Sequence, residues 1–167
     1  SINIRDSFKF TRDDHLYPIT KKINMESTFE GNIYRWNDYY YPKLEEAGFA
    51  ASFVKYDRVY DCDEEGSIGT YVIVEMPLIE GIPLEEITNK VDFLNVLMNG
   101  MTLLYNLNKK GFFHNDMKSN NFLVDRRGLK LKLLDYDYFR FNTKFGGKFP
   151  YLDAFRFLIM NKPFKNN

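Results

Sequence analysis

The stretch GFFHNDMKSNNFLVDRRGLKLKLLDYDYFR, residues 111–140, decides how the rest of the chain is read. It sets His114 two residues before Asp116, Asn121 five residues after that Asp, and Asp135 fourteen further on. Two short apolar runs, 122–124 and 129–134, are separated by Asp125, Arg126, Arg127 and Gly128. Apolar run, polar Gly-containing turn and second apolar run read as a hairpin, so the expected order is loop, strand, tight turn, strand, loop. The carboxylates and the amide then fall at loop ends. Phosphoryl transfer needs metal ligands, a cation on the phosphates and a group that orients the attacking hydroxyl. Magnesium prefers carboxylate, amide and water oxygens. Asp135 and Asn121 are candidates for the metal, and Asp116 for the base.

Composition sets the frame. A chain of 167 residues predicts one domain, or two small lobes sharing a core. With 44% hydrophobic and 17% aromatic residues, it has enough apolar surface to bury an interior. Twenty-three basic residues balance twenty-three acidic ones, which gives no electrostatic reason to expect nucleic acid as a partner. A lone Cys62 excludes an internal disulfide, and two His with one Cys argue against zinc. No apolar run is long enough for a membrane span, and no signal-peptide pattern opens the chain. The first residue is Ser, as after trimming. A soluble, cytoplasmic protein is expected.

Along the chain, residues 3–10 and 15–23 predict a hairpin about the polar cluster 11–14. Its period of two places Lys21 on one face with Tyr17, Ile19 and Ile23. Residues 25–47 predict a helix capped by Ser27 or Thr28, with Ile33, Trp36 and Tyr40 at helical spacing and Glu26 and Glu30 one turn apart. Pro42 is expected to kink or restart it, and Gly48 to end it. Residues 51–60 and 69–76 predict two further strands joined by an acidic loop. Two Pro and a Gly then mark a connector at 77–83. A short helix over 84–90 and a long one over 91–110 follow. The long helix carries Phe93, Leu94, Leu97, Met101, Leu104 and Leu107 on one stripe. Residues 142–150 read as a loop and 151–160 as a last helix.

At its central residues the sequence resembles the protein-kinase-like superfamily. HNDMKSNN at 114–121 is similar to that family's catalytic loop, and DYD at 135–137 to its metal-binding motif, with Asp137 in place of Gly. YVIVEMPLIEGIPLEEI resembles its hinge strand and the helix after it, and the order of features agrees over about residues 7–164. The resemblance implies an α+β, bilobal fold: a reduced N-lobe sheet over 1–76, a hinge at 77–83, and a truncated helical C-lobe over 84–167. It implies ATP and Mg2+ as cofactors. Asp116 would be the base, Lys118 would contact the transferring phosphate, and Asn121 and Asp135 would bind the metal. Lys21 would reach the phosphates and pair with Glu30, or else Glu26. Glu75 and Pro77 would line the adenine-binding hinge. His114 would pack under the loop, and Asp153 would brace the loop backbone from the next helix.

Departures narrow the expectation. Residues 1–30 contain no Gly, so the family's Gly-rich loop is missing before Lys21. Only seventeen residues separate Asp135 from Asp153, too few for a full activation segment. The sequence also ends soon after the last helix. Together these predict a minimal protein Ser/Thr kinase, similar to small bacterial effector or viral kinases, with a protein substrate or an activating protein partner. Two alternatives stand beside it. The HND and DYDYF strings also resemble choline kinases and aminoglycoside phosphotransferases, which act on small molecules. A pseudokinase or partner-binding module is the other. The aromatics Phe139, Phe141, Phe145, Phe149, Tyr151 and Phe155 are expected mostly to pack in the core.

Overall fold

The computed structural model describes residues 28–63 and 70–161, without the side chains of 28–31, 59–63 and 70–72. The hairpin expected over 3–10 and 15–23, with Lys21, lies outside these residues, as do Glu26, Ser27 and most of the acidic loop.

Helix α1, Thr28–Arg35, runs into one π turn, Trp36–Tyr40, and then into α2, Tyr41–Glu46. The wide turn has a local cause. Pro42 lacks an amide hydrogen, and its ring crowds the carbonyl four residues earlier. The Tyr41 amide instead bonds the Trp36 carbonyl, five residues back. Pro42 then falls in the first turn of α2, where a missing donor costs nothing. Ile33, Trp36, Tyr40 and Leu44 all turn inward.

Strands β1, Arg58–Asp63, and β2, Thr70–Glu75, form an antiparallel ladder with Arg58 opposite Glu75. The first strand was expected from residue 51 and begins seven residues later. Residues 50–52 form a 3-10 turn. The backbone of 54–56 is occupied by side chains rather than by a strand. Trp36 Nε1 donates to the Val54 carbonyl (2.8 Å), and the Tyr136 hydroxyl accepts from the Val54 amide (2.9 Å). Asn37 takes both polar groups of Tyr56, at 2.8 and 3.0 Å. Backbone groups satisfied this way have nothing left for a ladder.

The expected short helix at 84–90 is only a 3-10 turn, Leu84–Glu86. Asn89 accepts the amides of Val91 and Asp92 and so caps helix α3, Lys90–Lys109. Leu97, Leu104 and Leu107 of its stripe are buried, whereas Leu94 is 55% exposed. The last helix, α5 (Leu152–Met160), crosses α3 at Gly100, where a Cβ would lie 2.6 Å from the Phe157 ring. A glycine is required by that close approach.

Between these helices the chain makes β3, Phe112–Phe113, and the hairpin β4, Phe122–Val124, with β5, Leu131–Leu133. The hairpin was expected, and its register sets Phe122 opposite Leu133. Strand β6, Arg140–Phe141, returns to pair with β3, which the sequence did not predict. The expected loop at 142–150 contains helix α4, Thr143–Lys148, capped by the Asn142 side chain. Residues 76–83 carry no ladder apart from a bridge between Ile82 and Val124. One core cluster joins Trp36 and Phe53 to Leu104, Phe122, Phe139 and Phe157. The fold is a mixture of helices and short antiparallel ladders, α+β in class. Among the described residues no helix is long and apolar enough to cross a membrane.

Candidate active site

The loop between β3 and β4 is held from beneath by α5. Asp153 is fully buried. One of its carboxylate oxygens accepts the His114 amide and the Asn108 side chain, both at 2.8 Å. The other accepts the Asn115 amide at 3.1 Å. Asn108 returns the bond by accepting the Asp153 amide (2.9 Å) and also donates to the Phe112 carbonyl. A buried carboxylate is stable only when it is fully hydrogen-bonded, and three donors supply that here. Asn115, in a left-handed conformation (φ 69°), turns the chain outward and donates to the Tyr138 carbonyl at 2.8 Å.

His114 joins the loop to the strand that precedes Asp135. Its Nδ1 accepts the Asp116 amide at 3.2 Å, and its Nε2 faces the Leu134 carbonyl at 2.6 Å. One nitrogen must accept and the other donate, which fixes the neutral Nε2–H tautomer. Burial favours the same form and lowers the His114 pKa below its ordinary 6.5. His114 is therefore a brace rather than a proton carrier.

Asp116, Lys118 and Asn121 meet above this brace. The Asn121 amide nitrogen donates to the Asp116 carboxylate (2.8 Å) and to the Asp116 carbonyl (2.9 Å). Both amide hydrogens are thereby used, and the Asn121 oxygen remains for another partner. The Lys118 ammonium lies 3.7 Å from the same carboxylate. On the neighbouring strand end the Leu134 amide donates to the Asn121 carbonyl at 2.8 Å, so Asp135 directly follows the residue bonded to Asn121. Asp135 has φ 57°, and one carboxylate oxygen is 3.4 Å from the Asp137 amide. Asp137 has its pKa raised by burial and by the charges of Asp135 and Asp116. Burial, and after it the charges of Asp137 and Asp135, push the Tyr56 hydroxyl upward. An amide oxygen and a carboxylate at adjacent loop ends suit magnesium, which takes few protein ligands and fills its sphere with waters and phosphate. Among the described residues no cluster of three or more acidic, His or Cys side chains competes with that pair.

The remaining expected site residues lie elsewhere. Glu75 ends β2, exposed and 3.8 Å from Arg58. Pro77 lines a cavity of about 860 Å3 with Leu78, Glu80, Lys130 and Lys132, and none of Asp116, Asn121 and Asp135 borders it. Glu30 lies in α1 with its side chain outside the described residues, and Lys21 is outside them altogether. Sequence reasoning missed Asn108 and Tyr136. Asn108 had a signal in being a polar residue one position beyond Leu107 on the buried stripe. Of the six aromatics expected mostly in the core, Phe145, Phe149, Tyr151 and Phe155 are exposed, while Phe139 is buried. On α5, Phe155, Leu158 and Ile159 are exposed as well.

No family profile and no curated protein matches the chain. In structure it is similar to the Rio2 kinase of Chaetomium thermophilum in its ADP/Mg2+-phosphoaspartate complex, at 17% identity and TM-score 0.48, covering 95% of this chain and 47% of that one. It is also similar to the Cydia pomonella granulovirus kinase PK-1, at 19% identity and TM-score 0.44, covering 78% of this chain and 57% of that one. The chain thus spans about half the length of these two kinases.

Proposed function

We propose that the chain is an ATP- and magnesium-dependent phosphotransferase, and within that class a minimal protein Ser/Thr kinase. One observation supports the reading: Asn121 binds the Asp116 carboxylate, with Lys118 3.7 Å from it, and the Leu134 amide that precedes Asp135 bonds the Asn121 carbonyl. Asp116 would orient the acceptor hydroxyl and take its proton as the oxygen attacks the γ-phosphorus and ADP departs. Asn121, by donating to that carboxylate, fixes its direction. Lys118 would meet charge on the transferring group. The Asn121 oxygen and Asp135 would hold magnesium, which when bound neutralises charge on the phosphates. Lys21 and Glu30 would steady the phosphates, and the backbone at Glu75 and Pro77 would hold adenine, as the family resemblance implies.

Transfer of radiolabelled phosphate from ATP to generic protein substrates tests the reading. Asp116→Ala is expected to lower incorporation by roughly 10²–10⁴-fold. Equal incorporation by both proteins would refute it.

A second reading, a non-catalytic partner-binding module, is favoured by the exposed apolar residues Val91, Leu94 and Met98 on α3 and Phe155, Leu158 and Ile159 on α5. A thermal shift with ATP and magnesium favours the enzyme, and no shift favours the module.

A further inference from the structure

Asp135 is a single residue suspended between two anchored neighbours. On its N-terminal side, Leu134 donates its amide to Asn121 (2.8 Å) and its carbonyl accepts from His114 (2.6 Å). On its C-terminal side stands Tyr136, nearly buried in the core. The Tyr136 ring stacks on Trp36, with centroids 3.6 Å apart and planes at 14°. Its hydroxyl donates to the Leu133 carbonyl (2.5 Å) and accepts the Val54 amide (2.9 Å). The Val54 carbonyl is taken by Trp36 Nε1 at 2.8 Å, which closes a circuit from the π turn through residue 54 to the segment 133–136.

The circuit has a geometric consequence. Asp135 has a positive φ of 57°, a conformation an L-residue leaves readily unless its surroundings hold it. Leu134 alone fixes one end of that residue and leaves the following peptide free to rotate. The stack supplies area and a plane, but a ring can slide or turn within a stack. The hydroxyl is the directional element, since its two bonds fix where the ring ends and hence where the backbone of 136 must lie. A phenylalanine would keep the stack and lose both bonds.

We propose that the Tyr136 hydroxyl is a positioning group for the metal site: by latching to Val54 and Leu133 it presets Asp135 before nucleotide arrives. The inference rests on the phosphotransferase reading above and deepens it. Tyr136 touches neither nucleotide nor metal in this scheme. It acts through the backbone of its neighbour, as outer-shell groups do at metal sites.

Calorimetric ADP binding with magnesium and with EDTA gives the test. The ratio of the two affinities reports the metal's share of binding. Tyr136→Phe is expected to lower that ratio about tenfold or more, the usual cost of losing an outer-shell partner, and to leave the EDTA affinity unchanged. Val96→Ala, a buried truncation in α3 away from the site, is the stability control and should keep the wild-type ratio. An unchanged ratio in Tyr136→Phe, or an equal fall in Val96→Ala, overturns the latch. A wild-type ratio of one refutes the phosphotransferase reading instead. Hydrogen exchange on the wild-type protein adds a ligand-free readout. The Val54 amide should be protected without nucleotide and lose protection in Tyr136→Phe. Free exchange of that amide in the wild type until ADP and magnesium are added would also overturn the latch.

Discussion

The loop of residues 114–121 and the end of the β1–β2 ladder are both short backbone segments to which the family resemblance assigns ATP chemistry, yet they are built in opposite ways. In the loop, the amides of His114, Asn115 and Asp116 each have a side-chain acceptor. The side chains of Asp116 and Asn121 bond one another. At the ladder end, Glu75, Met76, Pro77 and Leu78 are exposed, and Leu78 is 94% accessible. Under the proposed function, the difference follows from what each segment would have to fix. Base and metal ligands act through side chains, whose direction must be set by neighbours before the reaction. A hinge that holds a base through backbone groups needs only the peptide planes, which a strand end already orients.

If that contrast is right, Asp153→Ala has a large effect without touching substrate. It strands the His114 and Asn115 amides and the Asn108 side chain in a buried place, at about 1–3 kcal/mol for each group left unsatisfied. A total of at least about 3 kcal/mol is expected in denaturant unfolding. A loss below about 1 kcal/mol would mean that the loop is not held from α5.

The pH dependence gives a smaller effect on the same region. Burial depresses the His114 pKa below 6.5, so the folded state keeps the ring neutral while the unfolded state takes up a proton near 6.5. Stability from this group is complete above that pH and is lost as pH falls toward the depressed value, by at most about 1.4 kcal/mol per pH unit. The loss should show between about pH 6.5 and 5, before unfolded-state carboxylates begin to titrate. His114→Gln should flatten the profile there. A profile equally steep in that variant would assign the slope to other groups.

Some of this was legible in the sequence and some was not, for physical reasons. The β4–β5 hairpin was readable because two apolar runs flank a polar turn, and period and turn agree. Asp153 was readable from its place at the start of the helix after the metal motif. The Trp36–Tyr136 stack was not. The partners lie a hundred positions apart, and each looks like an ordinary core aromatic. The strand start was misjudged because the apolar pattern at 51–57 reports burial, whereas its backbone bonds go to Asn37, Trp36 and Tyr136 side chains. Helix α4 was read as a loop because of Gly146 and Gly147. Gly146 is small because a Cβ there would lie 2.9 Å from the Gly111 backbone, so packing and not flexibility selects it.

The smallest expected effect lies at the open end of the comparison. Glu75 and Arg58 face each other across the ladder at 3.8 Å with both side chains well exposed. Solvent screens such a pair, and holding two long side chains together costs entropy, so Glu75→Ala should change stability by no more than about 0.5 kcal/mol. If this strand end serves nucleotide only through its backbone, the same variant should also bind ADP with magnesium within about twofold of wild type, a difference of about 0.4 kcal/mol. A fall of about tenfold or more would place the carboxylate itself in contact with ligand. The ladder end would then belong with the 114–121 loop as a segment specified by its side chains, and the contrast between the two would be lost.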